Sequence, residues 1–104
     1  MKILKQTIIK YKNDRVTLSQ FEKGSKRFYI SNGCTPLGLA NTLDEAYVIY
    51  KNKVRALKSR RTREFNKLVA FVRKNKNEVD FDCVREVIEK EFHADWESVK
   101  LNFQ

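Results

Sequence analysis

Leu37-Gly38-Leu39-Ala40-Asn41-Thr42-Leu43-Asp44-Glu45-Ala46-Tyr47-Val48-Ile49-Tyr50-Lys51-Asn52-Lys53-Val54 carries a short apolar strand straight into a helix. Thr42 and Glu45 stand at the spacing of a capping box. The Thr hydroxyl accepts from the Glu45 N–H, and the Glu carboxylate reaches back to the N–H of Thr42. Asp44 and Glu45 also occupy the first turn, at the positive end of the helix dipole. Leu43, Ala46, Tyr47, Tyr50 and Val54 follow at helical spacing, so one face is apolar. Such a face needs a surface to lie on, and the residues before it supply one.

Residues 1–11 alternate loosely, with Ile3, Leu4, Ile8, Ile9 and Tyr11 among Lys, Gln and Thr, which predicts a first strand. Lys12-Asn13-Asp14 is a turn signal. Arg15–Phe21 reads as a second strand and Glu22–Ser25 as a hairpin loop, with Gly24 suited to positive φ. Lys26–Ser31 is a third strand, with Phe28 and Ile30 on one face and Arg27, Tyr29 and Ser31 on the other. Asn32-Gly33 is a strong hairpin signal. Thr35–Ala40 returns as a fourth short strand, in which Pro36 marks an edge or a start because it has no N–H for a ladder.

All three glycines and the single proline lie between residues 24 and 38, which predicts a helical second half. Across 43–76 apolar residues keep helical phase through a polar interval at 58–64, with Arg61 at a seam position. A helix that long spans about 50 Å, more than the roughly 30–35 Å width of a domain this size. It is expected to overhang or to break near Ser59–Thr62. Asp80 is placed to cap a helix over about 81–92 with Phe81, Val84, Ile88 and Phe92 on one face. Trp96, Val99, Leu101 and Phe103 fit either a helical turn or a terminal strand. The expectation is an α+β fold: a three- to four-stranded antiparallel sheet packed on one helix, followed by a helical C-terminal extension. Residues 1–55 would form the sheet-plus-helix module. Residues 56–104 would form a basic helix and an acidic helical extension packed as one domain.

The 104 residues suffice for one modest core, and a hydrophobic fraction of 41% is that of a globular chain. Apolar runs stop at five residues, too short to span a membrane. The first six residues lack the apolar core of a secretion signal. Cys34 and Cys83 are therefore expected as free thiols in a reducing cytoplasm. The net charge of +9 is uneven: residues 1–77 hold 19 Lys/Arg against 5 Asp/Glu, and residues 78–104 hold 3 against 8. A basic body suits a polyanion such as nucleic acid, although the acidic tail could also neutralise it from within.

Strand Phe28-Tyr29-Ile30, turn Asn32-Gly33, Leu37-Gly38 and Asn41-Thr42-x-Asp44-Glu45-Ala46-x-x-x-Tyr50 together resemble the Apetala-two/ethylene-response-factor type of DNA-binding domain. That module also occurs in phage HNH homing endonucleases, and the resemblance covers about residues 15–55. It implies three strands backed by one helix, with the sheet face away from the helix entering the major groove of double-stranded DNA. By position the outward residues would be Thr17, Ser19, Arg27, Tyr29 and Ser31, flanked by Lys26. Plant members line that face with several arginines and tryptophans; this chain offers chiefly Arg27 and Tyr29.

The basic helix supplies further candidates. Residues 51–76 hold eleven Lys/Arg and one acid, Glu64. Lys53, Arg60, Arg63, Lys67 and Lys74 share one helical face, and Lys51, Arg55 and Arg73 another. Such rows can follow phosphates without reading sequence. The candidate nucleic-acid contacts are thus Lys26, Arg27, Tyr29, Ser31, Lys53, Arg55, Arg60, Arg61, Arg63 and Lys67. The inventory does not suggest an enzyme, a metal site or a cofactor. His93 is the single histidine, too few for an HNH centre, and Cys34, Cys83 and His93 fall short of four zinc ligands. The chain has no phosphate-binding Gly loop. Two readings follow. One is a non-catalytic DNA-binding regulator or phage accessory protein, with RNA open as an alternative because no RNA-specific motif is present. The other is a protein that inhibits or modulates a host nucleic-acid-processing enzyme, anchored by the overhanging helix or the Trp96–Phe103 tail. The oligomeric state is not encoded in these patterns.

Overall fold

A computed structural model of the chain describes residues 1–22 and 26–104; the loop expected at Lys23-Gly24-Ser25 lies outside them. Four strands, β1 (Lys2–Ile8), β2 (Arg15–Gln20), β3 (Phe28–Asn32) and β4 (Thr35–Ala40), form one antiparallel sheet in sequence order. They are followed by α1 (Leu43–Lys74), α2 (Phe81–Lys90), α3 (Trp96–Val99) and a 3₁₀ turn over Lys100–Phe103. The fold is α+β. The chain divides into two compact units. The first comprises Met1–Ile9 and Asn13–Lys58, the second Lys10–Lys12 and Ser59–Gln104.

In the first unit the alternation of the strands decides what is buried. Val16 and Leu18 on β2 and Ile30 on β3 are fully buried, and so is Ala46 on α1. Val16, Leu18 and Ile30 each contribute about 1.5–3 kcal/mol of burial. Tyr50 completes this layer, and its hydroxyl is hydrogen-bonded to the Thr7 hydroxyl. The Lys5 ammonium lies 5.9 Å from the Tyr47 ring centre and 5.7 Å from that of Tyr50, within cation–π reach.

Gly38 lets the helix come close. A Cβ built there would stand 3.0 Å from Ile49 Cγ2. Gly38→Val is therefore expected to cost about 2 kcal/mol of stability through overpacking, read from the urea unfolding midpoint. The Thr42 hydroxyl accepts from the Glu45 N–H at 3.2 Å, and the Thr42 carbonyl from Ala46 N–H at 3.1 Å. Among the described residues the reciprocal arm of the capping box is not made, and Glu45 is exposed.

Two irregularities set the faces of the sheet. Register shifts between Ile3 and Lys5, so Ile3 opposes Ser19 and Gln6 opposes Thr17. A second shift falls between Ile30 and Ser31, which oppose Gly38 and Pro36. Pro36, on edge strand β4, cannot donate to the ladder, and the bulge falls beside it. The turn centres on Gly33 and Cys34, between paired Asn32 and Thr35. Positive φ falls on Gly33 alone, at +60°, the pattern of a II′ turn rather than the I′ turn that Asn-Gly favours. Asn32 is held instead by its side chain, which accepts from the Arg15 N–H at 3.0 Å and donates to Asp14 Oδ1 at 3.1 Å.

α1 runs unbroken for 32 residues, about 48 Å, so the break expected near Ser59–Thr62 does not occur. The interval lacks Gly and Pro, and polar side chains there do not interrupt the backbone ladder. In the second unit Val72, Val84, Ile88, Phe92 and Phe103 are buried. Phe65 packs edge-on against Phe92 and Phe103, with centroids at 5.6 and 5.9 Å, and Trp96 stacks on Phe103 at 5.6 Å. The terminal segment is helical, and its aromatics serve this core. Asp80 caps α2, its Oδ1 accepting from Asp82 N–H at 2.9 Å. Phe81 stays 38% exposed despite its phase. The expected first strand stops at Ile8, and Tyr11 belongs to the second unit, 4.9 Å from the Phe92 ring.

Candidate nucleic-acid interface

The sheet face away from α1 belongs wholly to the first unit. Pairing places Thr17 opposite Ser31 and Ser19 opposite Tyr29, with Gln6 and Ile3 beside them on β1. Gln6 Nε2 donates to Thr17 Oγ1 at 3.0 Å. These side chains line an open hollow of about 340 Å³. Arg15 stands at one end, its guanidinium 3.9 Å from where a Gly33 Cβ would be. At the other end Phe21 and Tyr29 rings lie 6.0 Å apart, and the Arg27 guanidinium sits 5.5 Å over Phe21. None of the described strand positions on this face is acidic. The first unit as a whole carries ten Lys/Arg against four Asp/Glu.

Of the residues singled out by sequence, the sheet unites Arg27, Tyr29 and Ser31, and Lys26 is exposed just ahead of β3. Sequence reasoning passed over Arg15, Gln6 and Phe21 as contacts. Arg15 was accessible from parity with Thr17. Gln6 was not, because the β1 bulge places Ile3 and Gln6 on one face at an odd spacing. Lys53 and Arg55 lie on α1 within the first unit, Lys53 half-buried and Arg55 exposed.

Arg60, Arg61, Arg63 and Lys67 belong to the second unit. Arg63 is exposed, and Lys67 lies 3.6 Å from Glu64 in an exposed i,i+3 pair. The Arg60 guanidinium lies 5.5 Å over the Tyr11 ring. Arg61 is turned inward: Nε donates to the Lys10 carbonyl at 2.8 Å and Nη2 to the Phe92 carbonyl at 2.9 Å. His93 Nε2 meets the Lys12 carbonyl at 2.6 Å. Arg85 and Lys90 pair with Glu89 and Glu86 on α2.

Cys34 and Cys83 are both free and exposed. The negative charge of Asp80 beside Cys83 raises that thiol's pKa, which disfavours the thiolate at neutral pH. No cluster of three or more His, Cys, Asp or Glu able to hold a metal occurs among the described residues. No helix there is long and apolar enough to cross a membrane. The chain matches no family model, no curated protein and no solved structure.

Proposed function

We propose that the protein is a non-catalytic nucleic-acid-binding protein, acting on double-stranded DNA as a small regulatory or phage accessory factor in the cytoplasm. The observation that carries this reading is the outward sheet face: Arg15 and Arg27 at its two ends, Tyr29 on β3 and Phe21 just past β2 with rings 6.0 Å apart, and no acid on the described strand positions. Arginine is the side chain best matched to phosphate and to guanine edges. The resemblance of residues 15–55 to the Apetala-two type of module assigns that same face to DNA. Lys53, Arg55, Arg63 and Lys67 on α1 are solvent-accessible cations suited to phosphates and carry no sequence information of their own.

Arg61 is left out of this contact set, because its guanidinium serves the protein's own carbonyls. In the competing reading of a protein-directed inhibitor, the Trp96–Phe103 tail would present Leu101, 72% exposed, because Phe103 is fully buried and Trp96 is stacked on it.

Titration of duplex DNA by fluorescence anisotropy over a range of salt tests the proposal. The two phosphate contacts of the sheet face, from Arg15 and Arg27, predict that log K falls against log salt with a slope of about −2, steepened by about 1 for each further cation that engages. A slope near zero, or no binding at low salt, rejects it.

A further inference from the structure

We propose that the hollow on the outward sheet face is a pocket for an unpaired base, so that the preferred ligand is DNA carrying an extrahelical nucleotide rather than a perfect duplex. The inference rests on the DNA-binding reading above and names its substrate class.

The relief of the face is the starting point. Its centre is built from the three shortest polar side chains available, Thr17, Ser19 and Ser31, at 7%, 5% and 5% exposure. Longer neighbours stand around them: Ile3, Gln6, Arg15 and Tyr29. A surface that reads base edges inside a groove must project at its centre, where the groove is deepest. This one recedes there, so it fits a ligand that projects.

The hollow's volume of about 340 Å³ lies at the lower end of the range for small-molecule sites. Its chemistry suits a flat heteroaromatic ring. Each floor hydroxyl can both donate and accept, so base edges of either polarity find partners. The Tyr29 ring and the Ile3 side chain provide apolar walls for the ring faces. Arg15 and the Arg27–Phe21 pair lie at opposite ends of β2, about 20 Å apart along the strand. There they suit backbone phosphates a step or more away on either side of the inserted nucleotide.

Extruding a paired base costs stacking and pairing energy, and the cost is least for a base already unpaired. Among the described residues the face presents a receptacle with the exposed apolar side chains of Met1 and Ile3 at its rim. A bulged nucleotide is therefore the occupant the geometry favours. A second copy of the chain is disfavoured, because two such faces packed together would set Arg15 and Arg27 against their own equivalents.

Anisotropy with three ligands of one sequence provides the test: a perfect duplex, the duplex with one bulged thymidine, and the duplex with an abasic residue in the bulge. The expected result is that the thymidine bulge binds about tenfold tighter than either of the others, the scale of one stacked base. Ser31→Leu, which fills the hollow, should abolish that preference, so that the three ligands bind alike. Thr17→Val provides the isosteric second variant should Ser31→Leu not fold, and it should weaken the preference.

Equal binding of all three ligands overturns the base pocket and leaves the DNA-binding reading standing. Equal binding of the thymidine and abasic bulges also overturns it, since flexibility alone would then explain the preference. Binding of none overturns both. Sedimentation that shows a concentration-dependent dimer, lost in Ser31→Leu, assigns the face to a second copy instead.

Discussion

Reversing Arg15 and Arg27 together to glutamate is expected to lower duplex-DNA affinity about 100-fold at about 0.1 M salt, with the fold intact. Each guanidinium on a phosphate makes charge-assisted hydrogen bonds worth about 1.5–3 kcal/mol. Losing two such contacts comes to about 3 kcal/mol, or roughly two decades in affinity. The salt slope should shrink by about 2 in the same variant, one for each phosphate released.

A matched control separates the site from overall charge. Arg85→Glu with Lys90→Glu changes the net charge by the same amount, on a helix where both residues already pair with glutamates. Exposed pairs of that kind contribute little to stability. That control should weaken DNA binding by less than about threefold, through long-range charge alone. Circular dichroism checks the fold of the Arg15/Arg27 variant. Arg15 and Arg27 are both exposed, and the contact of Arg27 over Phe21 is worth about 0.5–1 kcal/mol. Similar losses in the two double variants would remove the sheet face from the interface.

Much of the sheet was legible because its determinants are local. The alternation of Phe28 and Ile30 with Tyr29 and Ser31 needs only adjacent residues, and so does the Thr42–Glu45 start of α1. The Gly38–Ile49 approach was readable as a small residue in a strand ahead of a helix. The II′ turn at Gly33-Cys34 was misplaced by one residue. The Asn-Gly signal is a preference of the turn alone, whereas the bulge beside Pro36 fixes the pairing. The continuous α1 was legible from phase; the alternative of overhang or break came from the width of a compact domain, and the division between compact units falls at Lys58 and Ser59 within the unbroken helix.

What sequence could not supply is relief and long-range partnership. Period two places Thr17, Ser19 and Ser31 on the outward face but does not show that they form the floor of a hollow. That depends on Ile3 and Gln6 sharing the rim, and hence on a bulge without a sequence signature. Tyr11 read as the end of a strand because nothing local says that the chain leaves β1 at Ile8 and lends Lys10–Lys12 to the second unit.

Arg61 is the strongest instance of such partnership, and its removal should be the most destabilising change of any charged residue described. Its guanidinium bridges two carbonyls far apart in sequence, those of Lys10 and Phe92. Both adjoin left-handed backbone at non-glycine residues: Lys10 itself at φ +61°, and His93, just after Phe92, at φ +50°. Residues of this kind cost about 1–2 kcal/mol each unless surrounding bonds impose the geometry. The same corner is tied by Lys12 N–H to the Glu91 carbonyl at 2.5 Å and by His93 to Lys12. Arg61→Ala leaves two carbonyls without their donor and frees the strained turns, at a cost of about 3 kcal/mol, or a fall in Tm of roughly 10–20 °C. Arg61→Lys should recover little, because a point charge on a flexible stem cannot reproduce the planar fork that spans both oxygens. Arg60→Ala, one residue away, loses a ring contact over Tyr11 among its interactions and should cost less than Arg61→Ala. Thermal and urea unfolding of the three variants decide the matter. Equal losses at positions 60 and 61 would mean that the cost comes from charge density on α1 and not from the bridge. Duplex affinity measured well below the Tm should be nearly unchanged in Arg61→Lys, since this side chain is committed to the protein's own backbone.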